Sequence, residues 1–400
     1  MDSQTHEENR ITNGLFACGL VFFLLYPPAI ILRTNYSKYI YDMIQLLLFF
    51  YFGVMKNEAI NLNRYKNNVV AISIVILFST VMNNSDIVGC FEMILKVLNV
   101  CFISNFYLER IPRQFIQGCC ITLLLYTLVN SITLFVFPNG MYANNRGVMT
   151  CYFLGEDNVG FSLYLLANCL TLILLVLYKG KAFPAFLFSI INSLVFVSHN
   201  DIATGKACLF VFLALFFIGT SRRVRMFINY KVVLAGHLII IAILLYFQSK
   251  SSIFLFVQSQ LIRNAQLSGR TIIWQRVISL IKQSPVIGSG YYRESLFPEL
   301  IGLPGLTNAH NYFLQLVLWG GFVAIVLFIL NFVYLDMATD KQKSTSSLRY
   351  ALTISLFVFL LHEQVESGYG EILYLLFGLS YYQYSVETAS EKDEQFSSVI

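Results

Sequence analysis

Residues 315–335 read QLVLWGGFVAIVLFILNFVYL, a run of 21 residues without a charged side chain. A helix needs about 20 apolar residues to cross a hydrocarbon core roughly 30 Å thick. Other apolar runs of about 17 to 25 residues recur along the chain. These runs predict membrane-spanning helices, not buried helices of a soluble core.

The composition supports this interpretation. The chain of 400 residues is 57% hydrophobic and 12% charged, whereas a soluble domain carries roughly 25% charged residues. The first ten residues, MDSQTHEENR, lack the basic start of a cleaved signal peptide, so the first span is expected to stay in the protein. The eight cysteines show no CxxC or Cys/His metal spacing and are interpreted as packing residues, with only Cys151 in a loop.

We predict an all-α polytopic membrane protein with about twelve transmembrane helices and one large extracytoplasmic loop. The expected parts are N-terminal transmembrane helices (1–248), the large loop (249–308), C-terminal transmembrane helices (309–386) and a tail (387–400). The predicted spans are 13–32, 39–55, 69–83, 86–106, 114–137, 158–178, 183–199, 203–219, 232–248, 309–335, 350–362 and 371–386.

The distribution of Lys and Arg predicts the orientation, because these residues accumulate in short cytoplasmic loops. With the N-terminus inside, the inner loops hold fourteen Lys and Arg residues and the short outer connections hold four. Both termini are therefore predicted to be cytoplasmic. The outer loop 249–308 departs from the pattern with six cations, which favour an anionic partner such as diphosphate, although ordinary solvated charges are the alternative.

An amphipathic helix is predicted within this loop, in SGRTIIWQRVISLIKQSP (268–285). Ser268 caps it, Ile273, Val277, Leu280 and Ile281 form its apolar stripe, and Pro285 follows its end. The helix is expected to lie flat on the outer membrane interface. Arg270 and Trp274 share a face, so that one could hold phosphate while the other covers sugar or lipid; a Trp anchored among the headgroups is the alternative.

Two glycines and a histidine follow this helix. Gly288 and Gly290 in VIGSGYYRE (286–294) suit a turn or a close approach of backbone to a ligand. In TNAHNYFLQLVLWGG (307–321), Thr307 or Asn308 is expected to cap the next helix, which places His310 and Asn311 in its first turn. The positive helix end would keep His310 neutral and able to accept a proton, while the alternative is a polar boundary residue.

Residues 262–335 resemble the Wzy-type polysaccharide polymerases and O-antigen ligases, a family of multi-span membrane glycosyltransferases. The resemblance rests on SGR at 268–270, Trp274, SPVIGSG at 284–290, His310 with Asn311, and Gly320 with Gly321. A weaker similarity covers 199–217, where Lys206 stands in place of the family's Arg. Lysine keeps the charge but loses the planar fork that grips phosphate at two points.

The resemblance implies a GT-C-like enzyme that transfers a glycan from undecaprenyl diphosphate to a sugar hydroxyl at the outer face of the bacterial cytoplasmic membrane. Arg270 would stabilise the leaving diphosphate and His310 would be the general base. Inversion, no metal and no cofactor are expected, and the partners would be the lipid-linked oligosaccharide, membrane lipid and a chain-length regulator, with no nucleic acid. The expected substrate-binding residues are Lys206, Arg263, Trp274, Arg276, Gly290 and Asn311.

Two other functions stay open at this point. A ligase would move finished glycan to a lipid or protein acceptor, and a flippase would carry lipid-linked sugars across the membrane. A flippase should show related halves and broken or charged helices near the midplane, and the sequence has no clear internal repeat. Two other polar groups are candidates. The cluster His362, Glu363, Glu366 and Glu371 is expected to be a solvated turn, with an alternative base or a contact to sugar hydroxyls as the other interpretation. Glu92 and Lys96 have the spacing of an ion pair within a span, either structural or functional.

Overall fold

A computed structural model describes residues 2–60, 63–143, 150–247, 266–304, 306–341, 346–366 and 370–388. In this part of the chain nearly all regular structure is helical. Helices suit a lipid environment because they satisfy every backbone hydrogen bond within one segment. The first helices are α1 (Asp2–Leu25), α2 (Asn35–Leu48, continued by a π-helix Phe49–Met55), α3 (Arg64–Met82), α4 (Ile87–Arg110), α5 (Pro112–Val136) and α6 (Asp157–Leu177).

The second half continues the same architecture. Its helices are α7 (Phe183–His199), α8 (Ala203–Ile218), α9 (Arg222–Phe227), α10 (Tyr230–Phe247), α11 (Gln266–Gln283), α12 (Phe297–Ile301), α13 (Tyr312–Lys341), α14 (Ser346–Glu363) and α15 (Ile372–Tyr381). A short antiparallel pair, β1 (Tyr142–Ala143) and β2 (Thr150–Cys151), lies between α5 and α6. The main packing pairs are α1 on α5, α3 on α13, α4 on α15, and α14 on α6 and α8.

Six of the described helices are long and apolar enough to cross a membrane: Asn35–Met55, Arg64–Met82, Ile87–Arg110, Pro112–Val136, Asp157–Leu177 and Tyr312–Thr339. Five shorter apolar helices accompany them. Every predicted span overlaps a helix. The prediction of an all-α multi-span membrane protein is therefore confirmed, while the number twelve stays a prediction.

All eight cysteines are buried and free, including Cys151 in β2. Their interpretation as packing residues is confirmed. Charged side chains are also buried where α3 and α4 meet the π-helix: Lys66 Nζ lies 3.0 Å from Glu58 Oε2. Asn105 Nδ2 donates to the same carboxylate oxygen at 2.8 Å. These contacts with Glu58 join the start of α3 to the end of α4, at the helix ends that lie away from the candidate functional site.

Helix α13 is interrupted at Gly321, whose φ of 65° and ψ of −161° are not helical. The segment Ser284–Gly290 fills this break. The Phe322 N–H donates to Pro285 O at 2.8 Å, and the Ser289 N–H donates to Leu318 O at 2.7 Å. The backbone groups that the interrupted helix leaves unpaired are thus satisfied by protein, which is a requirement for irregular backbone at membrane depth. The contact fixes the connection after α11 onto the first third of α13.

Candidate functional site

Glu366 brings together two of the residues singled out by sequence. Arg270, in the first half of α11, donates from Nη2 to Glu366 Oε1, and Nδ1 of His310 lies 3.2 Å from Glu366 Oε2. Arg270 and Glu366 are 96 residues apart in the chain. The Arg270 side chain is 10% exposed, that of Glu366 is 7% exposed and that of His310 is 25% exposed. The cluster is therefore largely dry, with the imidazole as its most accessible member.

Opposing effects act on the Glu366 carboxyl. Burial favours its neutral form, but the hydrogen bond with His310 and the charges of Arg270 and His310 outweigh burial and lower the pKa of Glu366. Glu366 is thus an anion at neutral pH. In the neutral imidazole of His310, Nδ1–H donates to this carboxylate, and Nε2 carries the free lone pair.

The structure corrects the expected position of His310. Helix α13 begins at Tyr312, and Asn311 is its N-cap, because Asn311 Oδ1 accepts the N–H of Leu314 at 3.0 Å. Neither Thr307 nor Asn308 caps this helix; Asn308 Oδ1 instead accepts the N–H of His310 at 2.8 Å. His310 therefore precedes the first turn, and the argument from the helix dipole is wrong for it. Contact with Glu366, not the helix end, orients its imidazole.

Backbone strain marks the same position. His310 has a φ of 47°, in the left-handed region that side chains with a Cβ rarely adopt. Such a conformation costs of order 1–3 kcal/mol and persists only where the surroundings enforce it. Here Asn308 holds the backbone N–H on one side, and Asn311 Nδ2 donates to Gln364 O at 2.9 Å on the other. Asn311 thus acts as a positioning residue between α13 and the end of α14.

Trp274 does not face an open site. Its ring is 2% exposed and packs with Ile273, Val277 and Phe297, and its Nε1–H donates to Ala309 O at 2.9 Å. The apolar stripe of the predicted helix is confirmed in α11, but it packs on protein and not on a membrane interface. The indole is enclosed by protein next to Ala309. Both predicted roles of Trp274, contact with a sugar and anchoring among lipid headgroups, are therefore wrong.

The other predicted binding residues lie apart from this cluster or outside the described residues. Lys206 pairs with Asp201 at the exposed start of α8. Arg276 is exposed on α11, and Arg263 lies outside the described residues. Gly290 approaches protein and not a ligand: its φ is 86°, and a Cβ there would lie 2.5 Å from Ser85 Oγ. The backbone of Gly290 thus lies against Thr80 of α3 and Ser85 in the connection to α4, and its role in substrate binding stays a prediction.

The expected group of six outward cations is reduced by pairing. The Arg293 guanidinium binds Asp86 through two hydrogen bonds, one of them from Nη2 to Oδ1 at 2.7 Å, and these bonds lower the pKa of Asp86. Arg270 is paired with Glu366, while Arg276 and Lys282 are exposed and Lys250 and Arg263 are not described. The loop residues that the structure describes therefore do not form the broad cationic surface that was predicted.

The turn after α14 is buried, not solvated. Glu366 is 5% exposed, and His362 and Glu363 are fully buried with Nδ1 and Oε1 3.4 Å apart. Gln364 Nε2 lies 2.8 Å from Nδ1 of His237, a residue of α10 that sequence reasoning passed over. The available signal was HEQVE at 362–366, a polar run at a span end without Lys or Arg. Such a run lacks the cations that usually accompany a solvated turn.

Together these contacts make an anchored carboxylate, an imidazole with one free nitrogen and a guanidinium in a dry setting. Among the described contacts, Arg270 uses one of its five N–H donors on Glu366. The remaining donors suit a diphosphate, and the imidazole suits proton removal from a hydroxyl. The arrangement can therefore assist a transfer in which negative charge leaves on one side and a proton leaves on the other.

Residues 166–329 match a family model described as O-Antigen ligase. The matched segment runs from α6 into α13 and includes Arg270, Trp274 and His310, but it ends before Glu366. No curated protein matches the chain. The match supports an O-antigen-ligase-like family and a membrane enzyme that handles lipid-linked glycans. It supports the polymerase and ligase interpretations equally.

Proposed function

We propose that this protein transfers a glycan from undecaprenyl diphosphate to the hydroxyl of a second lipid-linked sugar at the outer face of the bacterial cytoplasmic membrane. The observation that carries the proposal is the contact of Glu366 with both Arg270 and His310. It gives one buried site a cation for the leaving group and an oriented imidazole for the acceptor. The family match over 166–329 supports a lipid-linked donor.

In the proposed reaction, Nε2 of His310 takes the proton of the acceptor hydroxyl while its oxygen bonds to the anomeric carbon of the donor. The bond from that carbon to the diphosphate oxygen breaks, and its electron pair leaves with the diphosphate. Glu366 stabilises the imidazolium through Nδ1, as a carboxylate does in catalytic triads. Free donors of Arg270 stabilise the charge on the diphosphate, which is larger in the transition state than in the bound donor.

Direct displacement of this kind inverts the anomeric centre and needs no metal. The prediction is checked by determining the anomeric configuration of the new linkage by NMR of the purified product. A linkage that keeps the configuration of the donor would require a covalent intermediate or a different mechanism.

The second candidate function is that of a ligase, which the family match supports to the same degree. It uses the same donor and the same three side chains and differs only in the acceptor. A transporter is less well supported. The break in α13 at Gly321 is a feature of transporters, but here Ser284–Gly290 fills it, so that it offers no open ion or substrate site.

The experiment replaces Arg270 with Ala and His310 with Asn in the host strain and separates surface glycan by gel. Asn is chosen because it tolerates the left-handed backbone of His310 better than most residues. Loss of the base is expected to lower transfer about 10²–10⁴-fold. Arg222→Ala, an exposed arginine on α9 at the opposite side in the predicted topology, is the matched control and should leave the glycan unchanged.

The pattern of the defect separates the functions. Single repeat units on the surface lipid indicate a polymerase, long chains retained on the carrier indicate a ligase, and repeats trapped inside indicate a flippase. Full-length surface glycan in both variants would overturn the proposal. A chain-length regulator as partner belongs to the polymerase alternative alone.

A further inference from the structure

A cavity of about 230 Å³ lies beside the segment that carries His310. Its walls come from α4, from the connection 291–308, from α13 and from the start of α15. Asn308 and Tyr312, the residues two before and two after His310, both line it. It is smaller than the roughly 300–1,000 Å³ of sites for drug-sized ligands, so it suits one sugar ring and not a lipid chain.

The chemistry of the walls mixes aromatic faces with carboxylates. Tyr291 and Trp319 line the cavity with ring centroids 5.0 Å apart, and Glu92, Glu294 and Glu371 supply the acidic groups. An apolar ring face packs against the C–H face of a sugar, and a carboxylate accepts hydrogen bonds from hydroxyl groups. A pyranose presents both kinds of surface at once.

Buried donors without a protein acceptor give an independent indication of a ligand. Gln315 is 2% exposed, and its Oε1 accepts the N–H of Ala309 at 2.6 Å. Among the described residues neither its Nε2 nor Nε1 of Trp319 has a hydrogen-bond partner, and both residues line the cavity. Leaving a buried donor unsatisfied costs about 1–3 kcal/mol. Oxygen atoms of a bound sugar would satisfy both.

The charge of the cavity differs from that of the Arg270 cluster. Glu92 and Lys96, one helical turn apart on α4, have the spacing of an ion pair, but no ion pair joins them in the described chain. Both line the cavity. Lys96 Nζ instead lies over the ring of Tyr41, 5.1 Å from its centroid. Three carboxyl groups against one ammonium disfavour an anionic ligand. Diphosphate and sugar acids are therefore poor occupants.

We propose that this cavity binds the acceptor sugar, a neutral or amino sugar without a carboxylate, and directs one of its hydroxyls at His310. The inference rests on the proposed glycan transfer and extends it to the acceptor. Arg270 then takes the donor diphosphate, and the acceptor hydroxyl meets the donor's anomeric carbon at His310, between the lining residues Asn308 and Tyr312. The carboxyl groups of the cavity disfavour a diphosphate, so the donor diphosphate is expected at Arg270 and not in the cavity.

Trp319 gives a direct test, because the chain has two tryptophans and Trp274 is enclosed elsewhere. The full-length protein in nanodiscs is titrated into the millimolar range with glucosamine, galactosamine, glucose, galactose, glucuronate and galacturonate while tryptophan emission is recorded. At least one amino or neutral sugar should change the emission with saturation, and the two sugar acids should not. The change should vanish in Trp319→Phe and weaken at least tenfold in apparent Kd in Glu92→Gln.

Equal responses to sugar acids, no response to any amino or neutral sugar, or a response that survives in Trp319→Phe would overturn the inference. Arg222→Ala, the exposed control on α9, should still bind sugar in this assay. The acceptor site and the proposed function can therefore fail separately. If no sugar changes the fluorescence but Arg270→Ala still loses its glycan, only the acceptor site is overturned. Glycan retained in both Arg270→Ala and His310→Asn removes the proposed function instead.

Discussion

Glu366 holds two partners in a place where an unpaired charge would be costly. It lies three residues beyond α14, is nearly fully buried, and accepts from Arg270 on one oxygen and from His310 on the other. Removing one member of a buried ion pair costs about 3–5 kcal/mol, because the remaining charge loses its partner. The same carboxylate therefore fixes the guanidinium in position and decides which imidazole nitrogen stays free.

We expect Glu366→Gln to lower glycan transfer at least about 10²-fold, because the imidazolium formed during reaction loses its counter-charge. Initial rates with the lipid-linked substrate measure this. Glu299→Gln, the same change at an exposed position of α12, should leave the rate near that of the native protein. Equal rates in both variants would show that the Glu366–His310 contact has no part in catalysis.

The lowered pKa of Glu366 also sets a pH dependence of stability. A carboxyl whose pKa is lower in the folded state stabilises the fold above its unfolded pKa and loses this effect as pH falls through the folded pKa. Thermal unfolding in detergent should therefore show a loss of stability at pH values below the ordinary pKa of glutamate, and this loss should be smaller in Glu366→Gln.

Arg270 and His310 were predictable from residue type. Their partner Glu366 was not, because sequence spacing gives no sign of a contact across 96 residues.

At the scale of elements, two glycines let the connection after α11 enter α13. A Cβ on Gly321 would lie 2.2 Å from Val286 O, and a Cβ on Gly288 would lie 2.6 Å from the backbone N of Gly321. Each glycine thus admits the backbone of the other segment. This interlock of Gly288 with Gly321 links the end of α11 to α13. Arg270 lies in α11, and His310 directly precedes the N-cap of α13.

We expect Gly321→Ala to be more destabilising than Gly302→Ala. Gly302 is left-handed, with φ of 67° and ψ of 29°, and nothing lies within 4 Å of a Cβ there. Gly321 has a φ of 65° and a ψ of −161°, a backbone region that is essentially confined to glycine. Gly302→Ala should lower the free energy of unfolding only by the cost of a left-handed backbone at a residue with a Cβ, about 1–2 kcal/mol. At Gly321 the clash with Val286 O adds about 1–3 kcal/mol. Apparent Tm values in detergent compare the two, and equal losses would show that the interlock is not tightly packed.

Helix positions were predictable because hydropathy alone decides which segments can enter lipid. The predicted spans 183–199 and 203–219 agree with α7 and α8 to within one residue. The start of α13 was predicted three residues too early, since Thr307, Asn308 and Asn311 are all good N-caps and only the contact of Asn311 with Leu314 selects among them. The filled break at Gly321 was not predicted, because a Gly-Gly pair does not indicate which segment enters it.

At the scale of the whole molecule, the ion pairs agree with the predicted topology, in which successive connections alternate between the two sides of the membrane. Asp86, Arg293, His310 and Glu366 belong to connections that the predicted topology places on one side, and they pair with one another across the sequence. Glu58, Lys66 and Arg110 belong to the opposite side and likewise form one group. The alternation is thus consistent, and which side faces the cytoplasm stays a prediction from the Lys and Arg distribution.

Cysteine labelling tests that orientation. All eight native cysteines are buried, and burial raises the pKa of Cys151 to about 11, so the native protein should react little with maleimide at neutral pH. Arg276→Cys on α11 and Arg222→Cys on α9 each place one thiol at an exposed position. In intact spheroplasts an impermeant maleimide should label Arg276→Cys, and Arg222→Cys should react only after permeabilisation. The reverse pattern would put Arg270 and His310 in the cytoplasm, where a reaction on exported lipid-linked glycan cannot take place.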